Sequence, residues 1–211
     1  MIAIWLTALT LVAANASPTP IAVAVVAPRG VTDSLVNRIC AEAAAIWAPA
    51  GIALEWNRGA PQHEARGLTI EVTIDDRPTA LSRDGALGWV TFTTDGPERF
   101  IHLSRVSAED LLHTTPWLND ATITSHEALI GRALGRTLAH ELGHYILRSK
   151  VHTERGLMRA AWTSDQAFAF IRDGFELTSE ERATALNHLR VALACCDFAP
   201  GVASHADQAS I

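Results

Sequence analysis

Two histidines one helical turn apart, set in a long apolar-striped segment, constrain this chain more than any other feature. From Ser125 to Leu147 the sequence reads SHEALIGRALGRTLAHELGHYIL. Ile130, Leu134, Leu138, Leu142 and Tyr145 recur at helical spacing and form one stripe, which predicts a helix with that stripe in the core. Residues four apart on a helix lie about 40° apart around the axis. His140 and His144 therefore point the same way, together with the small Ala133 and Thr137, and away from the stripe. The expectation is that both imidazoles look into a cleft. Glu141 lies on the neighbouring flank.

Two imidazoles with a carboxylate beside them are the minimum set for a hydrolytic metal site. Zinc takes imidazole nitrogens, and a catalytic zinc needs three protein ligands with one position left open. Water in that position loses a proton readily, and an adjacent carboxylate can take it. His140-Glu141-Leu142-Gly143-His144 supplies two ligands and the base. For the third ligand the reading selects His152, eight residues after His144, reached if the helix ends near Arg148–Lys150 and the chain turns back. Gly156-Leu157-Met158 follows, and Met158 would floor the site. The rival third ligand is a carboxylate: Glu176, Glu180 or Glu181 in one arrangement, Asp165 or Asp173 in another. Glu180 and Glu181 are already explained as first-turn acids that offset a helix dipole.

The rest of the chain frames this helix. Pro20–Ala27 reads as a strand, Thr32 or Asp33 caps a helix to about Ala48, and Ile52–Trp56 is a second strand. Leu68–Ile74 alternates cleanly and is a third. Gly88–Thr93 and Phe100–Leu103 form two more, joined by Asp95-Gly96-Pro97. Residues 104–121 read as irregular, with one helical turn at Ala108–Leu112. Residues 148–176 read mostly as loop, and a last helix runs from Thr178 or Ser179 to about Ala194. This order predicts an α+β domain: a small twisted mixed sheet packed on helices, with a long active-site helix and a C-terminal helix.

Residues 1–16 (MIAIWLTALTLVAANA) have the apolar core and the Ala14-Asn15-Ala16 ending of a secretory signal peptide. The expected division is therefore a signal peptide at 1–16, one domain at 17–196, and a flexible tail at 197–211. Export would place the protein outside the cell or in the periplasm. There Cys40 could pair with Cys195 or Cys196; three buried thiols are the alternative. Net charge is −6 and Lys150 is the only lysine, which argues against a nucleic-acid surface. No apolar run reaches the ~18 residues of a spanning helix, so no stable membrane insertion is expected. A monomer is expected.

The motif His140-Glu141-Leu142-Gly143-His144, the later His152 and the Gly156-Leu157-Met158 turn resemble the metzincin clan of zinc metallopeptidases, with matrixin-like character. Gly88-Trp89-Val90 followed by Ile101-His102-Leu103 is similar to the two strands before the active-site helix in matrixins. The resemblance implies a zincin-like fold and a secreted zinc endopeptidase acting on peptides or proteins. In it, His140, His144 and His152 hold Zn2+, Glu141 is the general base, and Met158 forms the Met-turn. It also implies that Arg159, Trp162 and Phe168–Phe170 line the pocket for the residue after the cleaved bond. The chain departs from the clan pattern in two places. Leu147 stands where the clan has Gly, and the third His comes two residues late. A non-Gly residue is disfavoured in a left-handed turn, so the helix is expected to end by a longer route. No segment with a blocking cysteine precedes the first strand, so latency of the matrixin type is not expected. Of the remaining histidines, His102 reads as a surface or core residue, and His63, His188 and His205 read as solvated. Tyr145 reads as packing.

Overall fold

The computed structural model describes residues 19–59, 69–77, 85–118 and 122–197. The expected signal peptide at 1–16, His63, His205 and the tail beyond Asp197 lie outside these residues. Five strands form one mixed sheet in the order β2-β1-β3-β5-β4: β1 (Thr19–Val26), β2 (Ile52–Arg58), β3 (Thr69–Asp75), β4 (Gly88–Thr93) and β5 (Gly96–Ser104). The pairs β1–β2, β1–β3 and β3–β5 are parallel, whereas β4 runs antiparallel to β5 and forms the edge. The segment Ala22–Val25 is central and paired on both sides, which explains the near-continuous apolar run of β1. In β3 the alternation is literal: Ile70, Val72 and Ile74 are buried while the residues between them are half exposed.

Helix α1 (Asp33–Trp47) connects the parallel strands β1 and β2. Thr32 caps it by accepting the Leu35 N–H at 3.1 Å. Helix α2 (Arg105–His113) follows β5 directly. It is a nine-residue helix rather than the single turn expected. Ser104 caps it through the Ser107 N–H, Arg105 pairs with Glu109 one turn on, and Ala108 and Leu112 are buried. Only two apolar residues at one-turn spacing mark it in the sequence. Helix α3 (Ile123–Leu147) is the long one. A short α4 (Ser164–Phe168) interrupts what reads as loop, closed by a capping box between Thr163 and Gln166. Helix α5 spans Ser179–Asp197, three residues past the expected end.

One core joins the inward residues of the sheet (Ile21, Val23, Val25, Ile70, Val72, Ile74, Ile101, Leu103) to α1 and α3. Helix α3 departs from the amphipathic picture. From Ala133 to His144 every residue is buried, including the face that carries the histidines. It is a central helix, and small residues at four-residue spacing admit its neighbours. A Cβ at Gly131 would come within 2.6 Å of Arg38 Cβ, and one at Gly135 within 2.8 Å of the Ile39 carbonyl. The Trp47 indole N–H donates to the Ala139 carbonyl at 3.1 Å.

Arg136 lies in the same buried zone, 0% exposed. Its Nε donates to Glu42 of α1 at 3.0 Å. Its remaining nitrogens donate to the carbonyls of Gln166, Ala169 (2.8 Å) and Ile171 (2.7 Å). The Phe175 ring covers it at 4.5 Å. Arg172 completes the pairing from the far oxygen of Glu42 at 2.7 Å. Cys40 is a free, buried thiol, and burial pushes its pKa up to about 11. The side chains of Cys195 and Cys196 lie outside the described set.

Removing Arg136 leaves Glu42 buried with a weakened partner set and frees three carbonyls. Arg136→Met is expected to cost about 3 kcal/mol or more in urea unfolding. Arg58→Met, at the exposed pair with Asp33, is expected to cost less than about 1 kcal/mol. Equal losses at the two positions would contradict the role given to Arg136.

Candidate metal centre

The last two turns of α3 and the loop after it build the site. His140 Nδ1 lies 2.8 Å from the Leu157 carbonyl, and His144 Nδ1 lies 2.7 Å from the Ser149 carbonyl. A carbonyl only accepts, so each Nδ1 carries the proton and donates. Each Nε2 then presents a lone pair. The Nε2 atoms of His140 and His144 are 3.0 Å apart, and those of His144 and His152 are 3.2 Å apart. Facing lone pairs at this distance repel unless a cation lies between them. Tetrahedral zinc with bonds of 2.0–2.1 Å would space its nitrogens by about 3.3 Å. His140 and His144 thus turn neutral donor nitrogens toward one point, with His152 beside them at a spacing close to that of zinc ligands, and both are oriented by backbone carbonyls in the manner of metal ligands. Among the described residues they are the one His/Cys/Asp/Glu group with ligand atoms this close.

His152 reaches this point by the longer route that was expected, with the helix ending at Leu147 and the chain turning back, but through a left-handed residue that is not glycine. Helix α3 continues through Leu147, where the clan pattern has Gly, and the left-handed residue is Arg148 (φ 52°, ψ 38°). That conformation costs a non-Gly residue roughly 1–2 kcal/mol. The Arg148 guanidinium offsets this by donating to the Asp95 carbonyl at 2.8 Å in the β4–β5 turn. There Gly96 (φ 125°) leaves no Cβ in the way of the guanidinium. Ser149 N–H then closes on the His144 carbonyl at 3.2 Å, and Ser149 Oγ accepts the Val151 N–H at 3.1 Å. The extra residues are absorbed in this turn, which returns the chain at His152.

The Gly156-Leu157-Met158 turn supports the site from below. Thr153 N–H bonds the Met158 carbonyl at 2.8 Å, and Leu157 N–H bonds the Glu176 carbonyl at 2.9 Å. Gly156 takes φ 81°, with the Glu176 carbonyl where a Cβ would stand. The Met158 sulfur packs directly on Gly143, which explains why the motif carries glycine there. Trp162 meets His140 edge-on at 5.1 Å.

A cavity of about 630 Å³ opens in front of the imidazoles. Its walls are β4 (Gly88, Trp89, Val90, Phe92), the histidines with Thr137 and Glu141, and the segment Arg159–Trp162. Glu141 is 7% exposed. Burial raises its pKa to about 7, partly offset by a hydrogen bond from the Val90 backbone. Burial lowers His140 to about 4 against a hydrogen bond to Leu157 that works the other way, and lowers His144 as well.

The carboxylates considered as rival ligands are engaged elsewhere. Glu181 accepts the Thr178 N–H at the start of α5, and Glu176 accepts the Gly174 N–H. Neither these nor Glu180, Asp165 and Asp173 joins the histidine cluster. Of the expected pocket residues, Arg159 and Trp162 line the cavity, whereas Phe168 is buried in the core and Phe170 is exposed beside Arg132. His102 bonds Asp75 at 3.2 Å and stacks on Trp89. His188, expected to be solvated, is half-buried and bonds the Ile146 carbonyl at 3.0 Å. Tyr145 packs against the core. Thr137 lines the cavity, on the histidine side where its spacing put it; sequence reading missed Ala167 and Leu111 as cavity walls, because nothing in their spacing marks them.

No protein-family model matches the chain, and no curated protein matches it. Among solved structures it is similar to archaemetzincin from Methanopyrus kandleri, at 15% identity and TM-score 0.49 over 82% of this chain and 97% of that one. It is also similar to metalloproteinase-II from Bacteroides fragilis, at 8% identity and TM-score 0.49 over 82% of this chain. The chain spans 54% of that second protein.

The shifted groups make opposite contributions to the stability of the metal-free protein. For His140 the unfolded chain binds more protons between about pH 4 and 6.5, so stability rises with pH there. For Glu141 the folded chain binds more protons between about pH 4.5 and 7, so stability falls with pH. The two oppose one another, and His144, also lowered by burial, adds to the histidine side. Glu141→Gln should remove the opposing contribution: chelated variant protein gains more stability from pH 4 to 6.5 in urea unfolding than the wild type does, by about 3 kcal/mol. Parallel curves for the two proteins would refute the opposed pair.

Proposed function

We propose that the chain is an exported, metzincin-type zinc endopeptidase. The observation that supports this reading is the convergence of three imidazoles, with a buried carboxylate beside them, on one wall of an open cavity. His140, His144 and His152 would hold the metal. When bound, zinc would polarise a peptide carbonyl and acidify a water. Glu141 takes the proton of the attacking water and returns it to the departing amine. Its raised pKa keeps it ready to exchange a proton near neutral pH, because it sits in a dry wall of the cavity.

The peptide would lie along β4 by strand addition. β4 is the edge of the sheet and lines the cavity, whereas the other strand considered from the sequence, Phe100–Leu103, is paired on both sides within β5. Export is supported by the apolar core and small-residue ending of residues 1–16. Among the described residues no helix is long and apolar enough to cross a membrane.

Purified protein is expected to retain about one zinc per chain after mild dialysis. Glu141→Gln should keep that zinc and lose hydrolysis of a peptide library by about a hundredfold or more. His152→Ala should lose the metal itself. A chain that neither carries nor takes up zinc, or a Glu141→Gln variant with full activity, would overturn the reading.

A further inference from the structure

The cavity is cationic in a chain that is not. The sequence holds 23 Asp and Glu against 17 Lys and Arg. Among the described residues that line the cavity the one acid is Glu141, while Arg159 and Lys150 are both cations. Lys150 is the only lysine of the chain. Its ammonium sits 5.1 Å over the Phe92 ring, on the His144 side.

Arg159 follows Met158 directly and is half-buried. One arm of its guanidinium is held in place: it donates to Gln166 Oε1 at 3.0 Å. The same oxygen accepts the Thr163 N–H at 3.1 Å, so the Gln166 amide is locked by the capping box of α4. Arg159 Nε is buried with no hydrogen-bond partner. Among the described residues no carboxylate pairs with this guanidinium. A positioned guanidinium that has lost water and kept spare donors is matched best by a carboxylate, which takes two of its N–H groups at once. Ala160, Ala161 and Ala167 line the same part of the cavity and keep its walls short.

We propose that Arg159 is a specificity residue that binds a carboxylate of the substrate, so that the enzyme favours anionic peptides. This rests on the peptidase reading above. Lys150 adds attraction without fixed geometry, because its ammonium rides on a flexible stem. The carboxylate can come from an Asp or Glu side chain or from a free C-terminus.

Matched peptides that differ by Glu or Gln at each position around the cleaved bond, each made as C-terminal acid and amide, test this. Wild type is expected to favour one carboxylate-bearing member by about tenfold or more in kcat/KM, mainly through KM. A preference that follows the side chain identifies Asp or Glu; one that follows acid over amide identifies the C-terminus. Arg159→Gln should bring the ratio toward one, and Arg159→Glu should turn it toward Lys-containing peptides. Zinc content checks that each variant is intact. Equal use of all members by wild type, or an undiminished preference in Arg159→Gln, would overturn the proposal. Binding without turnover separates it from the peptidase reading. The Glu141→Gln protein should bind the anionic peptide more tightly than its neutral match, read by the fluorescence of Trp89 and Trp162. Arg159→Gln in that background should abolish the difference even if no peptide is ever cleaved.

Discussion

The buried guanidinium of Arg136 is the interaction on which most of the architecture depends. It joins α3 to α1 through Glu42 and to the main chain of residues 166–171 through three carbonyls. A charge this deep is tolerated only when its donors are satisfied, because an unpaired one would cost several kcal/mol. The consequence is geometric. The chain around Ala167, which lines the cavity, is tied to the same helix that carries the histidines, so that part of the wall and the histidines keep one relative position.

Close packing completes that arrangement. Gly131 and Gly135 bring α1 against α3, and Gly143 receives the Met158 sulfur. With the floor pressed on the helix, the Leu157 carbonyl falls beside His140 and orients its ring. The same packing dries the surroundings of Glu141 and His140, which is why one pKa rises and the other falls. Structure and electrostatics of the site therefore have a single origin: a helix covered on every side at the level where its chemistry sits.

Much of this was legible locally. Spacing alone brought His140, His144 and Glu141 onto adjoining faces, because helix periodicity acts over a single turn. The strands were legible where they alternate, as in β3, or run apolar, as in β1. Helix α2 was legible only as one turn and the short α4 not at all, since caps and a few buried residues leave little periodic pattern. His188 was misread because a polar residue near a helix end looks solvated until its partner, the Ile146 carbonyl, is in view. The histidine face of α3 was expected to look into a cleft, and it does line the cavity, but more deeply covered than an amphipathic stripe implies. A small-residue stripe reads as neutral in sequence, yet in space it is what lets neighbours close in.

By itself the sequence determined the helix, the two histidines that share one of its faces, the adjacent carboxylate and the strand-rich frame, whose patterns are set within a few residues. Tertiary structure decided the rest. It set the path to His152, since the left-handed Arg148 is held by the helix-end hydrogen bonds and by its side chain, which reaches the β4–β5 turn more than fifty positions away in sequence, at Asp95. It set the buried state of Arg136 and Glu141, and the cationic wall formed by Arg159. Those properties depend on which distant segments exclude water from a side chain, and desolvation is not written in the spacing of residues along a chain.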